Sequence, residues 1–388
     1  MRILGIADDT TGAIEVGAKF AMAGVSTLVS TGNDLESERD GFVVDARTRH
    51  LSPRQARERI LQLAGAAIEA GVPYLFKKTD STLRGHIAVE FRALLEAFPE
   101  RPLLYVPAYP RMGRTVRDGA LHVHGVPLAE TAFAADRLNP SNQGWIPGLL
   151  AEACGAPVLT ASTGECILEL LSTVSGGAII LCDGTTDEDL QSAAQALAAS
   201  GRDCIVAGTA GFCEQWVNAL PIERSLQGGV PAVRRCLVVS GSLHPASSGA
   251  ILRAAETGTP AIALPDQAAG DDLTAAALAE ALSAHPWVAL TTPGTCRGSV
   301  GKRMGALAAR AIDMQPVDGV AVFGGDTTLG VLEALGVSVV DPLLDLLPGI
   351  PVSTIRHGDR RLALITKAGG FGDDGTLTAI RKVLEDRS

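Results

Sequence analysis

The stretch FKKTDSTLRG, Phe76 to Gly85, gathers three cations, one acid and three hydroxyls directly after an apolar run. Lys77, Lys78 and Arg84 are donors to anions, Thr79, Ser81 and Thr82 both donate and accept, and Asp80 accepts hydrogen bonds or a proton. A small anion that also carries hydroxyls would find complementary groups in this one segment. An ordinary strand-to-helix turn with a solvated charged rim has a similar composition. The segment alone leaves both readings open.

Other apolar runs in the first half end in comparable groups: Asp8-Asp9-Thr10-Thr11-Gly12, Asp45-Ala46-Arg47, Lys78 to Arg84, and Pro107 to Arg114. Each alone also reads as helix capping, with Thr10 or Thr11 as cap and Asp8 favouring the helix dipole. In an open α/β sheet, however, ligands bind outside the carboxyl ends of the strands, and four such ends would converge on one edge. The second half carries glycines in the same places. VVSGSLHPASSG (Ser240, Gly241, Ser242), VFGGDTTLG (Gly324, Gly325, Asp326, Thr327) and ITKAGGFGDDG (Lys367, Ala368, Gly369, Gly370) each follow an apolar strand. Glycine lets backbone N–H groups approach an oxyanion closely, and a helix N-terminus adds a favourable partial charge. In outline this is a nucleotide-phosphate site, although any one loop taken singly is equally a tight turn.

The elements that position these groups alternate. RILGIAD reads as a strand, GAIEVGAKFAMAG as a helix ending at Gly24, GFVVDAR as a strand, and SPRQARERILQLAGAAIEAG as a helix opened by Ser52 with Pro53 at its first position. YLFKK is the next strand; Ile87, Phe91, Leu94 and Leu95 recur at helical spacing; PLLYVPA, GGAIILCDG and DCIVAG are further strands. GRTVRDGALHVHGVPL interrupts the alternation as a loop and hairpin with an Asp118-Gly119 turn. Periodicity stops around Leu220 to Arg235, where Pro, Gly and charge cluster, and a domain boundary is placed there. Beyond it CLVVSGS, PAIALPD, WVALTTPG, GVAVFGG, VSVVDP and RLALITKAGG read as strands, with Ala/Leu-rich helices between most of them. The expected class is α/β, in two domains, each a mostly parallel sheet flanked by helices.

Composition narrows the function. The 388 residues exceed one typical core, and a net charge of -10 without a dense Lys/Arg block opposes nucleic acid and anionic membranes as partners. Seven cysteines without a C-x-x-C pair fit reduced thiols and argue against a disulfide framework or a zinc site. MRILGIADD reaches two aspartates too early for a signal peptide, and no run of about 18 apolar residues marks a membrane span. A soluble, cytoplasmic enzyme is expected. In CRGSVGKRMG, Cys296 and Arg303 occupy the positions where a P-loop needs Gly and Ser/Thr. Gly370, Gly372 and Gly375 spell G-x-G-x-x-G, but too little chain follows for the acidic residue about 20 positions on. His122 and His124 would share a strand face, yet lack a third ligand, so no metal site is assigned to protein side chains. G-x-S-x-G is missing too.

The blocks IADDTTGAIEVGAKFAMAG, FKKTDSTLRGHIAVE, VPAYPRMGRTVRDGALHVHGVPLAETAFAADRLNP, VVSGSLHPAS, FGGDTTLGVLEALG and TKAGGFG together resemble the ordered motif set of the four-carbon acid sugar kinase family, from about residue 3 to about 374. The resemblance implies ATP-dependent phosphorylation, with Mg²⁺, of threonate, erythronate, 3-oxo-tetronate or a close relative, with the terminal hydroxyl oxygen as acceptor atom. It implies an acid-sugar-binding domain over 1–225 and a nucleotide-binding domain over 232–388. Asp9, Arg47, Lys78, Asp80, Ser81, Thr82, Leu83 and Arg84 would line the first site. Ser240, Gly241, Ser242, Gly324, Gly325, Asp326, Thr327, Lys367, Ala368, Gly369 and Gly370 would line the second. Asp80 and Asp326 are the two candidates for the catalytic carboxylate, and the partners are the sugar acid and ATP, with a homodimer as one assembly open to the chain. Departures fall at Thr10, where the family usually has a bulky apolar residue, at His86 (usually Asn), at Leu243-His244 (usually Cys-Ser) and at Gly370 (usually Asn). A non-catalytic sugar-acid sensor or an NAD-dependent sugar-acid dehydrogenase would be the alternatives.

Overall fold

The computed structural model describes residues 1–32, 38–134, 143–225, 228–292 and 300–386. Cys296, residues 135–140 of the third motif block and residues 226–227 of the boundary stretch lie outside them. The chain is α/β and forms two compact units, Met1–Thr27 with Asn33–Ser225, and Leu28–Gly32 with Leu226–Ser388.

The strands are β1 (Ile3–Ala7), β2 (Thr27–Ser30), β3 (Gly41–Asp45), β4 (Tyr74–Lys78), β5 (Leu103–Val106), β6 (Arg114–Arg117), β7 (Ala120–Val123), β8 (Val126–Pro127), β9 (Val158–Ala161), β10 (Ile179–Cys182) and β11 (Ile205–Gly208). In the first unit they run in the order β3-β1-β4-β11-β5-β10-β9, and every pairing is parallel. All five residues of β1 are buried, as a strand covered by helices on both faces must be. Phe20 and Phe76 pack on Trp216 with centroids 6.3 and 5.2 Å apart, and Phe91 meets Tyr105 edge-on at 4.8 Å. The helix Pro53–Glu69 begins as its sequence predicts: Ser52 and Gln55 form a reciprocal capping box with proline in the first turn. Strand order reverses around β1, with β3 on one side and β4 on the other, so a crevice opens at its carboxyl end.

The hairpin expected in the interrupting stretch is the antiparallel sheet β6-β7-β8, and Asp118 and Gly119 both take positive φ at its turn. Asp183 holds that turn by accepting from the Asp118 and Gly119 amides at 2.7 and 3.0 Å. His122 and His124 do not share a strand face: β7 stops at Val123, and His124 sits in a left-handed turn residue at φ 50°.

The second unit contains β12 (Cys236–Ser240), β13 (Ala261–Ala263), β14 (Trp287–Thr291), β15 (Gly319–Phe323), β16 (Val339–Leu347), β17 (Ile350–His357) and β18 (Arg360–Lys367). Strands β13-β14-β12-β15-β18 are parallel neighbours, and β18, β17 and β16 continue as an antiparallel meander. The meander's far edge is completed from early in the chain: Val29 and Ser30 pair antiparallel with Val340 and Val339. Trp287, Phe323, Val352, Ile365 and Ile380 belong to the core. Strand order reverses again at β12, flanked by β14 and β15.

Candidate functional site

Register brings the polar ends of the first unit together. Ala7 pairs with Asp45 on one side and Lys78 on the other, so the residues following β1, β3 and β4 emerge side by side. Asp9 caps the helix Thr10–Met22 by accepting from Gly12 N–H at 2.9 Å. Leu83 turns the chain through a left-handed φ of 62°, and Arg84 folds back onto Asp80 with Nε and Nη2 at 2.8 and 2.7 Å from its two oxygens. The Thr82 hydroxyl and amide also donate to Asp80, at 2.6 and 3.0 Å. Asp80 is thus a fixed, fully engaged acceptor.

Arg49, which sequence reasoning did not single out, lies among these groups. Its Nε and Nη2 are each 2.8 Å from Asp8 Oδ2, its Nη1 is 2.6 Å from Asp9 Oδ2, and its Nη2 is 3.3 Å from Asp80 Oδ1. One guanidinium therefore joins three carboxylates from two strand ends. Burial penalises the Asp80 charge, but Arg84 and Arg49 outweigh it and hold the carboxyl well below its ordinary range. Asp9 is lowered in the same way, Arg49 and Lys78 prevailing over desolvation. Asp8 goes the other way: burial raises it despite Arg49, and among the described residues its Oδ1 has no hydrogen-bond partner. A second layer fixes the Arg49 loop from below. Glu90 bonds the buried Lys77 ammonium at 2.9 Å and accepts from the Thr48 hydroxyl. Lys78 donates to Thr79 O at 2.8 Å, Ser81 is buried in the same turn, and Arg47 is the most exposed of the site's basic groups, with 39% of its side chain accessible.

The second unit gathers its loops by the same logic. Phe323 pairs with Ser240 on one side and Lys367 on the other, so the three glycine-bearing loops leave the sheet as neighbours. A Cβ on Gly241 would lie 2.2 Å from Thr327 Oγ1, and one on Gly369 would lie 2.6 Å from Ser242 Oγ. The loops can approach this closely only as glycines. Gly324 has φ 108° and immediately precedes the helix Gly325–Ala334, whose first turn carries the exposed Asp326 and the buried Thr327. Gly325 opens that helix, Gly370 stands in the loop after β18, and Ala368 and Gly369 lend carbonyl oxygens to Lys367. That lysine is buried, its Nζ donating to Phe371 O at 2.7 Å, Ser247 Oγ at 2.9 Å, Gly369 O at 3.2 Å and Ala368 O at 3.3 Å. Burial lowers its pKa to about 8. With its acceptors this leaves an ammonium that pulls loop carbonyls inward at neutral pH. If these loops hold a nucleotide, as the resemblance implies, Lys367→Met is expected to weaken its binding at least tenfold, because the loop loses its internal donor. Stability should change by less than about 2 kcal/mol, since a buried charge is removed at the same time. Nucleotide titration alongside urea unfolding checks both.

Among the described residues no group of three or more His, Cys, Asp or Glu side chains is arranged to hold a metal, and no helix is long and apolar enough to cross a membrane. The fold and the two strand-end clusters define an α/β protein with a charged, hydroxyl-rich site in one unit and a glycine-lined site in the other. Comparison with known proteins agrees with that division. Residues 3–216 match the family model described as a sugar-binding N-terminal domain, and residues 237–377 match a nucleotide-binding C-terminal domain. The chain is 33% identical to a D-threonate kinase of Bordetella bronchiseptica, over 98% of this chain and 97% of that protein. It is 25% identical to a 3-oxo-tetronate kinase of Brucella melitensis, over 99% and 96%. A crystal structure from Salmonella typhimurium LT2 shares the fold, with a TM-score of 0.81 at 21% identity, covering 98% of this chain and 99% of that one. The chain belongs to the four-carbon acid sugar kinase family.

Proposed function

We propose that this protein is an ATP-dependent kinase that phosphorylates a four-carbon sugar acid, threonate, erythronate, 3-oxo-tetronate or a close relative, at its terminal hydroxyl. The observation that carries the reading is the contrast between the two clusters: fixed cations and an ionised acceptor at the ends of β1, β3 and β4, and three glycine-bearing loops at the ends of β12, β15 and β18. On this reading Arg47, Lys78 and Arg84 meet the substrate carboxylate, and Asp9, Ser81 and Thr82 orient its hydroxyls, with Asp80 and the Leu83 turn holding Arg84 in place.

Asp80 is held ionised with both oxygens already accepting, so it serves to fix Arg84 and Arg49 and is a poor proton acceptor. Phosphoryl transfer needs positioning and charge stabilisation more than proton abstraction. Asp326, exposed in the first turn of its helix, is proposed to orient the attacking hydroxyl or to hold the metal. Amides of Gly325 to Thr327 and of Ala368 to Gly370, with Gly324 turning the chain while its own amide donates to Lys367 O at 2.9 Å and with Ser240, Gly241 and Ser242 beside them, would cradle the phosphates. Mg²⁺, which neutralises phosphate charge, commonly keeps waters and takes only one or two carboxylates. A single Asp326 beside a phosphate cradle fits that habit. The six described cysteines are free, in keeping with a cytoplasmic setting.

The test is nucleotide turnover with Mg²⁺ across a panel of tetronates and oxo-tetronates, with phosphorus NMR of the product to locate the new ester. Turnover on at least one acid, with a terminal phosphomonoester, is expected. Background turnover on all of them, with tight binding of an acid, would favour a sensor.

A further inference from the structure

Arg47 stands in an unusual piece of backbone. It follows β3 with φ 54°, a left-handed conformation disfavoured for a residue with a Cβ, and its guanidinium is 39% accessible while Asp45 is fully buried. Such a turn needs a partner to hold it. Asp45 Oδ1 accepts from the Arg47 amide at 3.1 Å, and Asp45 Oδ2 lies 3.8 Å from Arg47 Nε. The carboxylate is itself held: the Thr10 hydroxyl, in the first turn of the neighbouring helix, donates to Asp45 Oδ2 at 2.5 Å. Three side chains from two strand ends thus form a line, Thr10 to Asp45 to Arg47.

We infer that Thr10 and Asp45 are positioning residues that aim Arg47 at the carboxylate of the sugar acid, and that Thr10 thereby sets how tightly this chain holds the acid end of its substrate. The inference rests on the proposed function in taking Arg47 as a substrate contact. The hydroxyl fixes the carboxylate, the carboxylate fixes the turn and attracts the guanidinium, and neither residue needs to touch substrate.

Protonation of Asp45 supplies a readout that simple packing would not move. Burial raises Asp45 to about 6, opposed by the Thr10 hydrogen bond and the Arg47 amide and guanidinium, and reinforced by Asp9. Arg59, on the Pro53–Glu69 helix, is the further charge coupled to it. As pH falls through about 6 the carboxylate is neutralised and loses its pull on Arg47. The substrate carboxyl, with an ordinary pKa of about 3–4, stays ionised over that range. Removing the Thr10 hydroxyl removes a bond that favours the ionised form, so the transition moves to higher pH.

The experiment is KM and kcat for sugar acid and for ATP between about pH 5.5 and 8.5 in full-length wild type, Thr10→Val, Thr10→Ser and Asp45→Asn. The wild-type acid KM is expected to rise as pH falls through about 6, with the ATP KM flat over that limb and rising only above about pH 8, where Lys367 loses its proton. Thr10→Val should raise the acid KM roughly 3- to 10-fold at pH about 7 and shift the transition upward, Thr10→Ser should restore both, and Asp45→Asn should raise the KM and abolish the transition. An acid KM in Thr10→Val equal to wild type throughout, or an equal rise in both KM values, overturns the inference. Wild type that neither binds any tetronate by calorimetry nor turns it over overturns the proposed function, and this inference with it.

Discussion

Arg49→Ala is expected to lower kcat/KM for the sugar acid by about 100- to 1,000-fold while leaving the nucleotide KM unchanged. The guanidinium is the shared partner of Asp8, Asp9 and Asp80, and only 9% of the side chain is accessible. Removing one member of a buried ion pair costs about 3–5 kcal/mol, because the remaining charges stay desolvated. That cost falls on folding; the kinetic loss comes from displacement of Asp9 and Asp80 once Arg49 no longer holds them, and a 100- to 1,000-fold fall corresponds to about 3–4 kcal/mol of lost transition-state stabilisation. The sign of the pH response follows from the same contacts. Arg49 helps to depress Asp9 and Asp80, so without it both carboxyls rise and remaining activity should fall away at a higher pH on the acid side. Arg49→Lys retains charge but cannot span three carboxylates as a planar fork, and should fall between wild type and alanine. Steady-state kinetics with each substrate varied in turn, at several pH values, measures all three outcomes. Equal losses for acid and nucleotide would show that Arg49 supports the fold and not this site.

Gly324→Ala is expected to raise the nucleotide KM by one to two orders of magnitude, about 10- to 100-fold, with sugar-acid binding preserved. The reason is backbone conformation and not space. At φ 108° and ψ 138° the residue occupies a region that side chains rarely enter, whereas a Cβ built there finds its nearest neighbours at 3.5 Å, an ordinary contact. Residues forced into sparsely populated regions cost about 1–3 kcal/mol each. The chain would relieve that strain by rotating the peptide that opens the Gly325–Ala334 helix, and the amides proposed to meet phosphate would turn with it. Gly241→Ala should impair the same ligand by another route, through the 2.2 Å approach to Thr327 Oγ1. Calorimetric titration of ATP and of the sugar acid against each variant, after circular dichroism confirms folding, separates the cases. Gly324→Ala binding ATP as wild type does would remove this loop from the site.

Much of this was legible in the sequence because the information was local. Apolar runs such as RILGIAD and GVAVFGG mark strands buried on both faces, and the polar or glycine-rich residue after each run marks the strand end where ligands gather. The capping box at Ser52 and the Asp118-Gly119 turn are equally local. What the sequence hid depends on distant partners. Arg49 looks like one more charge in DARTRH; its weight comes from Asp8, Asp9 and Asp80, which register alone brings within reach. β17 carries no clear strand pattern, because Pro351 and an adjoining Arg-rich end blur it, and its place between β16 and β18 is fixed by pairing. The left-handed turns at Arg47 and Leu83 carry no sequence mark either, since neither residue favours positive φ.

The small excursion at residues 28–32 bears on how the chain comes into being. Thr31 donates its hydroxyl and amide to Ser338 O, a partner 307 positions later, and Val29 and Ser30 close the exposed margin of β16. A ribosome would release this piece of the second unit long before the strand it completes exists. Such distant pairing is slow to form, because loop closure is unfavourable until late contacts repay it. Until then the nascent β16–β18 meander presents an uncovered margin of backbone donors and acceptors, a template for another chain. Cutting the polypeptide in the stretch between the units would make that temporary state permanent. A separately expressed C-terminal half would carry an open seam, and adding residues 28–32 back as a peptide, or fusing them at its C-terminus, is the natural way to close it.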